Sequence, residues 1–300
     1  MDDLASPRVL RETLQRYGLS PRKGLGQNFL IDPNLRDKIV RAAAPVRGEL
    51  VVEIGPGPGV LTAQLAASGA AVLAVEADVG LARVLRDRLA PAGGRVIVLA
   101  ADVLGVDLAA QAAAAGLDGH PSLAVGNLPY YITTPVIFHL LETRLPWRRM
   151  VFVLQREVAA RIAAAPGSKD YGLLSVMTQC RARVETLATM PPGVFWPPPK
   201  VHSTLIRLTF PGPYELAGAE ASILGGLARA AFGQRRKTLG NACRAWLASL
   251  GGDGCFAEAC AAVGADPAGR GEELSVAQFV TLARELSRRL GIWGKDGERA

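Results

Sequence analysis

Asn127-Leu128-Pro129-Tyr130 ends the apolar run Leu123-Ala124-Val125-Gly126. An amide, a peptide carbonyl held by proline and an aromatic face, projected together from a strand end, suit one chemical task. They can grip the exocyclic amine of a flat base while that amine attacks an electrophile. A four-residue motif can also be an ordinary strand exit, and it gains force from a second motif. Glu53-Ile54-Gly55-Pro56-Gly57-Pro58-Gly59 lies upstream at the end of another apolar run, so two strand ends of one sheet define a site.

A glycine loop lets backbone come close to a ligand. The G-x-G-x-G pattern alone fits dinucleotide enzymes, methyltransferases and plain tight turns. No Lys-Ser/Thr follows it, which removes a nucleotide-triphosphate loop. The spacing is not G-x-G-x-x-G and Glu53 precedes it, which weakens a nicotinamide-dependent oxidoreductase, the class that the fold alone suggests. Acids recur at the next two strand ends, Glu76 and Asp102. A carboxylate after the second strand is placed for ribose hydroxyls, and one after the third for an adenine amino group. A ligand with ribose and adenine but no phosphate is S-adenosylmethionine.

The elements that must hold these residues alternate. Leu50 to Ile54, Ala71 to Val75, Val96 to Leu99, Leu123 to Val125 and Met150 to Leu154 read as short, fully buried strands of a parallel sheet. Helical patterns lie between them at Val60 to Ala67, Leu81 to Leu89, Thr134 to Leu141 and Arg156 to Ala164. Ser6-Pro7 and Asp32-Pro33 open two earlier helices. Arg183 to Thr189 and Thr204 to Phe210 close the sheet as a hairpin-like pair. The expected fold class is α/β, a Rossmann-like seven-strand sheet with sites at the carboxyl ends of its strands. Past Pro211-Gly212-Pro213 the periodicity is helical, broken at Gly251-Gly252 and around 267–271. The division expected is a Rossmann-like domain at 1–212 and a smaller all-helical domain at 213–300, with a polar tail after Leu290.

The 300 residues carry 34 Lys and Arg against 27 Asp and Glu, a formal charge of +7. That balance favours a polyanionic partner, with cations clustered at Arg235-Arg236-Lys237 and at Arg144, Arg148 and Arg149. No uncharged apolar run is long enough for a transmembrane helix. Met1-Asp2-Asp3 opens no secretory signal, so the expected location is cytoplasmic. Cys180, Cys243, Cys255 and Cys260 have neither C-x-x-C spacing nor nearby His, and read as free thiols with no metal site and no disulfides.

Taken in order, Gly26-Gln27-Asn28-Phe29-Leu30, Glu53 to Gly59, Glu76, Asp102, Asn127 to Tyr130 and Pro197-Pro198-Pro199-Lys200-Val201-His202-Ser203 resemble the rRNA adenine dimethyltransferase family, most closely its bacterial small-subunit branch. The likeness runs from about residue 18 to 290 and includes Pro166 to Gly172 and Phe232 to Leu239. Departures are few, and Tyr131 and Gly240 carry no weight in it. The resemblance implies an S-adenosylmethionine-dependent enzyme that dimethylates two adjacent adenosines in the 3′-terminal hairpin loop of 16S rRNA, within the small ribosomal subunit. It implies cofactor contacts from Asn28, Leu30, Gly55, Glu76, Asp102 and Asn127, and no metal.

On that reading, the Asn127 oxygen and the Leu128 carbonyl each accept one N–H of the adenine amine, beside Pro129. Tyr130 stacks on the flipped base through its face, its hydroxyl being dispensable, and Phe195 is the candidate for the opposite face. Arg235, Arg236 and Lys237 are assigned to rRNA backbone. No membrane and no obligate protein partner are expected. Two rivals stand: a large-subunit rRNA adenine methyltransferase of the antibiotic-resistance type, and an assembly factor that acts mainly by binding in subunit biogenesis.

Overall fold

The computed structural model describes residues 3–90, 96–117, 120–143, 145–216, 218–252 and 254–292. Arg144 of the second basic cluster and the tail at 293–300 lie outside the described residues. In chain order the strands are β1 Phe29–Leu30, β2 Leu50–Ile54, β3 Ala71–Glu76, β4 Val96–Ala100, β5 Ser122–Asn127, β6 Trp147–Gln155, β7 Arg183–Met190, β8 Phe195–Trp196 and β9 Ser203–Thr209. The helices are α1 Pro7–Arg16, α2 Pro33–Ala43, α3 Thr62–Ala67, α4 Val79–Leu89, α5 Leu108–Ala114, α6 Thr133–Glu142, α7 Arg156–Ile162, α8 Leu173–Gln179, α9 Gly218–Gly233, α10 Leu239–Ser249, α11 Phe256–Ala262 and α12 Val276–Arg289.

Seven strands form one sheet in the order β4-β3-β2-β5-β6-β9-β7. The first five in space are mutually parallel, and β9 runs antiparallel to β6. Alternate residues face opposite ways. Val51, Val72, Ala74, Leu123, Val125, Val151, Val153 and Leu205 join one apolar cluster with Leu10 and Leu14 of α1, Ile39 of α2 and Leu81 and Leu85 of α4. The intervening Leu50, Val52, Leu73, Ala124 and Phe152 are equally buried. Burial on both faces is why β2, β3 and β5 read as unbroken apolar runs. β4 departs from that expectation. It is the sheet's edge, with Ile97 exposed and its other residues partly or fully open to solvent.

Helix starts follow their local chemistry. The Asp32 side chain accepts the Leu35 N–H at 2.9 Å and Pro33 occupies the first turn of α2. Asp78 caps α4 by accepting the N–H groups of Gly80 and Leu81. A two-residue antiparallel ladder pairs Phe29 with Trp196 and Leu30 with Phe195.

Arg148 and Arg149 are not an open cationic surface. Arg148 pairs with buried Glu49 and donates to the Ala44 carbonyl at 2.9 Å. Arg149 donates to the Ala42 and Ala43 carbonyls at 3.2 and 3.1 Å. Both cations complete the carboxyl end of α2, where carbonyls lack intrahelical partners.

The chain forms two compact units. One comprises residues up to Ala159 together with Glu185–Phe210, and the other comprises Ala160–Val184 and the chain from Pro211 onward. A contiguous division at 212 therefore does not describe residues 160–184, which group with the later helices. In that second unit α9 packs against α8, α10 and α12. Phe232 lies between Tyr171 and Phe279, with ring centroids 5.8 and 5.6 Å away. Cys180, Cys243 and Cys260 are buried free thiols there, Cys255 a half-buried one. Burial pushes Cys243 up to about 12 and Cys260 up to about 11.

Candidate active site

Strand order creates the cleft. From β2 the chain moves outward through β3 to β4, then returns so that β5 lies on the other side of β2. Crevices form where strand order reverses, outside the carboxyl ends. The glycine loop leaves β2 and Asn127 ends β5, so the two motifs flank that reversal. The cleft between them is lined by Gly26–Phe29, Gly55, Gly57, Glu76, Asp102 and Asn127–Ile132, among others.

Glycine is required at particular loop positions. Gly57 has φ +58°, and a Cβ there would lie 3.1 Å from the Phe29 ring. At Gly126 a Cβ would meet the Ile54 carbonyl oxygen at 2.5 Å, closer than any side chain tolerates. The bare backbone at 126 lets β5 deliver Asn127 beside the glycine loop.

Glu76 holds the loop in place. One carboxylate oxygen accepts the Gly57 N–H and the other accepts the Asp78 N–H, each at 2.9 Å. Burial raises its pKa, opposed by these two backbone bonds. Asp78 in turn meets Gln27 Nε2 and the Arg22 guanidinium, both at 3.3 Å. Gln27 also accepts the Arg22 N–H at 2.7 Å. This network ties Arg22 and Gln27 to Asp78 and so holds residues 25–28 as a wall of the cleft. Sequence reasoning gave Gln27 and Asp78 no role; an acid two residues after a strand, opening a helix, was the available signal for Asp78.

Asn127 is oriented by a peptide oxygen. Its side-chain N–H donates to the Asn28 carbonyl at 2.6 Å, while the Asn28 side chain donates to the Gly26 carbonyl at 2.9 Å. With the nitrogen so engaged, the amide oxygen is the group left to accept. The Leu128 side chain is buried and its N–H donates to Val153 at 3.1 Å, which fixes the following peptide. Pro129 accepts from the Ile132 N–H at 3.2 Å and the Thr133 hydroxyl at 3.0 Å. The Tyr130 hydroxyl lies 2.8 Å from that of fully buried Ser203. The hydroxyl is therefore not idle: it anchors the ring to β9.

Other expected site residues fall elsewhere. Asp102 lines the cleft and caps a short turn by accepting the Leu104 N–H at 3.0 Å. Leu30 is buried in the apolar cluster and does not line the cleft. Phe195, opposite Leu30, is only 2% exposed in the same cluster. It is a core aromatic, because the ladder with β1 turns it inward, and it is unavailable to a base.

In the second unit Arg235 donates to the carbonyls of Lys169 and Tyr171 and pairs with Glu272 at 2.9 Å. Arg236 and Lys237 are exposed, and neither side chain is held by a hydrogen bond or ion pair among the described residues. The three adjacent cations thus divide into one strut and two open charges.

Glu53, in the strand that leads into the glycine loop, is 1% exposed, with its Oε2 unpartnered among the described residues. Burial, reinforced by the charge of Glu76, pushes its carboxyl up to about 8. Burial thus disfavours its charged form.

The donor set decides which ligand the cleft fits. Among the described residues no Arg, Lys or His lines it, and Gly57 already gives its N–H to Glu76. Diphosphate has no counter-charge there. Carboxylates at the ends of β3 and β4 instead suit hydroxyl and amine donors. Among the described residues, no group of three or more His, Cys, Asp or Glu is placed to hold a metal. No described helix is long and apolar enough to cross a membrane.

Residues 18–286 match the family described as ribosomal RNA adenine dimethylase. The chain is 46% identical over 290 residues to ribosomal RNA small subunit methyltransferase A of Anaeromyxobacter sp. (strain K), covering 95% of this chain and 99% of that relative. It is 44% identical over 289 residues to the protein of that name from Geobacillus thermodenitrificans (strain NG80-2), covering 95% and 97%. Among solved structures, a dimethyladenosine transferase from Plasmodium falciparum aligns with TM-score 0.69 at 24% identity, over 88% of this chain and 98% of the other. The 23S rRNA methyltransferase ErmE aligns with TM-score 0.63 at 25% identity, over 87% and 100%.

Proposed function

The chain belongs to the ribosomal RNA adenine dimethylase family, and from that premise we propose that it dimethylates the exocyclic amines of two adjacent adenosines in the 3′-terminal hairpin loop of 16S rRNA. The substrate on this reading is a small-subunit particle, and the place of action is the cytoplasm, where such particles are assembled. The observation that carries the chemistry is the Asn127 amide, its nitrogen held by Asn28 and its oxygen left at the cleft.

The methyl donor is S-adenosylmethionine, whose positive sulfur supplies an activated methyl group when bound. Gly55, Glu76, Asp102, Asn28 and Asn127 would hold it, Glu76 toward ribose hydroxyls and Asp102 toward the adenine amine. Leu30 would act only through the backbone it shares with this wall.

The chain's own residues do the rest. An adenine amine is a poor nucleophile because its lone pair is delocalised into the ring. Asn127 cannot remove a proton, since an amide oxygen has negligible basicity. Its oxygen accepts one N–H while the Leu128 carbonyl accepts the other, with Pro129 shaping the turn. Two acceptors on one amine favour a pyramidal nitrogen and stabilise the positive charge that develops on it. Unstacking the target base costs a few kcal/mol, and stacking on Tyr130 returns about 1–3 kcal/mol. The Ser203 anchor keeps that ring in one plane. Arg236 and Lys237 meet the rRNA backbone, while Arg235 shapes the turn that presents them.

The test is mass spectrometry of rRNA after undermethylated small-subunit particles are incubated with the protein and isotopically labelled S-adenosylmethionine. Label on two adjacent adenosines of the 3′-terminal hairpin is expected. Label confined to naked large-subunit rRNA in a parallel reaction would replace this reading with the antibiotic-resistance type.

A further inference from the structure

Tyr131 has no role in the mechanism above, yet its position invites one. Six large apolar side chains stand exposed among the described residues: Val46, Val79, Ile97, Leu104, Tyr131 and Val201. Scattered exposed apolar residues are ordinary. Tyr131 differs in being the one aromatic of the six and in lining the cleft, with 58% of its surface open.

The ring is backed by glycine. Gly26 has φ +60° and ends the short turn Lys23–Leu25. A Cβ at 26 would lie 3.4 Å from Cδ1 of Tyr131 and 3.7 Å from Cε1. Glycine there leaves a bare backbone surface against which the ring rests. The backbone at 131 is held from both sides, because the Pro129 carbonyl takes the Ile132 N–H and the Thr133 hydroxyl. Lys23, on the turn that Gly26 ends, is exposed; its carbonyl accepts the Gly26 N–H at 3.0 Å, while its side-chain ammonium has no hydrogen bond or ion pair among the described residues. An open aromatic ring packed on Gly26, with an unpaired ammonium three residues earlier on the same turn, is a combination that single-stranded nucleic acid rewards, since a ring stacks on a base and a cation meets phosphate.

We propose that Tyr131 is the stacking platform for the unpaired base adjoining the target adenosine, with Lys23 on that nucleotide's phosphate. The proposal rests on the rRNA reading above and deepens it. When one adenosine enters against Tyr130, its neighbour lies on Tyr131, so two consecutive bases are held by two consecutive tyrosines. The platform acts in binding and register, not on the reacting amine.

Steady-state kinetics on undermethylated small-subunit particles test it, with Tyr131→Ala, Tyr131→Phe and the parent compared. Tyr131→Ala should raise KM for the particle about tenfold, the scale of one lost base stack, with kcat within about twofold. Tyr131→Phe should keep the parental KM, and S-adenosylhomocysteine affinity by calorimetry should be equal in all three. A parental KM in Tyr131→Ala overturns the proposal while leaving the rRNA reading intact. So does weakened S-adenosylhomocysteine binding in step with KM, which would make the ring a cofactor wall. A parent inactive on the particles but active on other RNA sinks the rRNA reading itself, and this proposal with it.

Discussion

Asn127 and Arg235 are both polar side chains singled out by motif, and both are held by backbone carbonyls, yet the outcome is opposite. At Asn127 one carbonyl takes the nitrogen and the oxygen remains for a ligand. At Arg235 the Lys169 and Tyr171 carbonyls and Glu272 absorb the guanidinium, and its neighbours Arg236 and Lys237 stay open. The difference lies in how each residue is placed. Parallel strand ends converge by topology, so any polar residue there faces one cleft. A charge on the turn between α9 and α10 is used or left over according to partners 37 to 66 residues away.

The sharpest way to break this contrast is at Asn127. Asn127→Ala should lower kcat on small-subunit particles about 100- to 1,000-fold, the range for loss of one preorganised polar partner at a transition state. S-adenosylhomocysteine affinity should fall far less. Equal turnover in the variant and the parent would end the role assigned to the amide.

A second effect separates the cleft unit by its buried acid. The Glu53 carboxyl, near 4.5 in an unfolded chain, is raised to about 8 in the folded one. The native state therefore binds the extra proton between those values. This group's contribution is fully present below about pH 4.5 and is lost as pH climbs toward 8, at roughly 1 kcal/mol per pH unit. Glu53→Gln should remove that slope, so urea unfolding from pH 5 to 9 should show parent and variant diverging most at alkaline pH. Parallel curves would place an ionised carboxylate at position 53.

The smallest effects divide the cationic trio. Arg235→Ala should destabilise the protein by about 1–2 kcal/mol in thermal unfolding, because it leaves carbonyls unmet. Arg236→Ala with Lys237→Ala should leave stability unchanged and flatten the salt dependence of particle binding by about 1–2 in log-log slope. If Arg235→Ala changed only the salt slope, the strut and the open charges would have to exchange places.

What the sequence made legible follows the same division. β2, β3, β5 and β6 were readable because burial on two faces demands continuous apolar residues. The site acids were readable because they follow such runs directly. β4 looked equally buried, but its run is short and an edge position leaves no mark that a four-residue window can hold. Phe195 and Leu30 misled for another reason. Their two-residue ladder spans about 165 positions with no local signal, and only its register turns Phe195 into the core. Arg148 and Arg149 likewise serve α2 carbonyls roughly a hundred residues earlier. Helices α5 and α8 carry no such mark, because seven residues, Ala-rich in one and mostly apolar in the other, are too few to show a helical period.

The anchor on Asn127 is a main-chain oxygen, and genes do not encode those one at a time. Whatever residue stands at 28, its peptide unit still presents an acceptor in the same direction, provided the loop keeps its course. The alignment of the amide is thus shielded from drift at its own support, and variation can damage it only by replacing position 127 or by bending the backbone that carries 26–28.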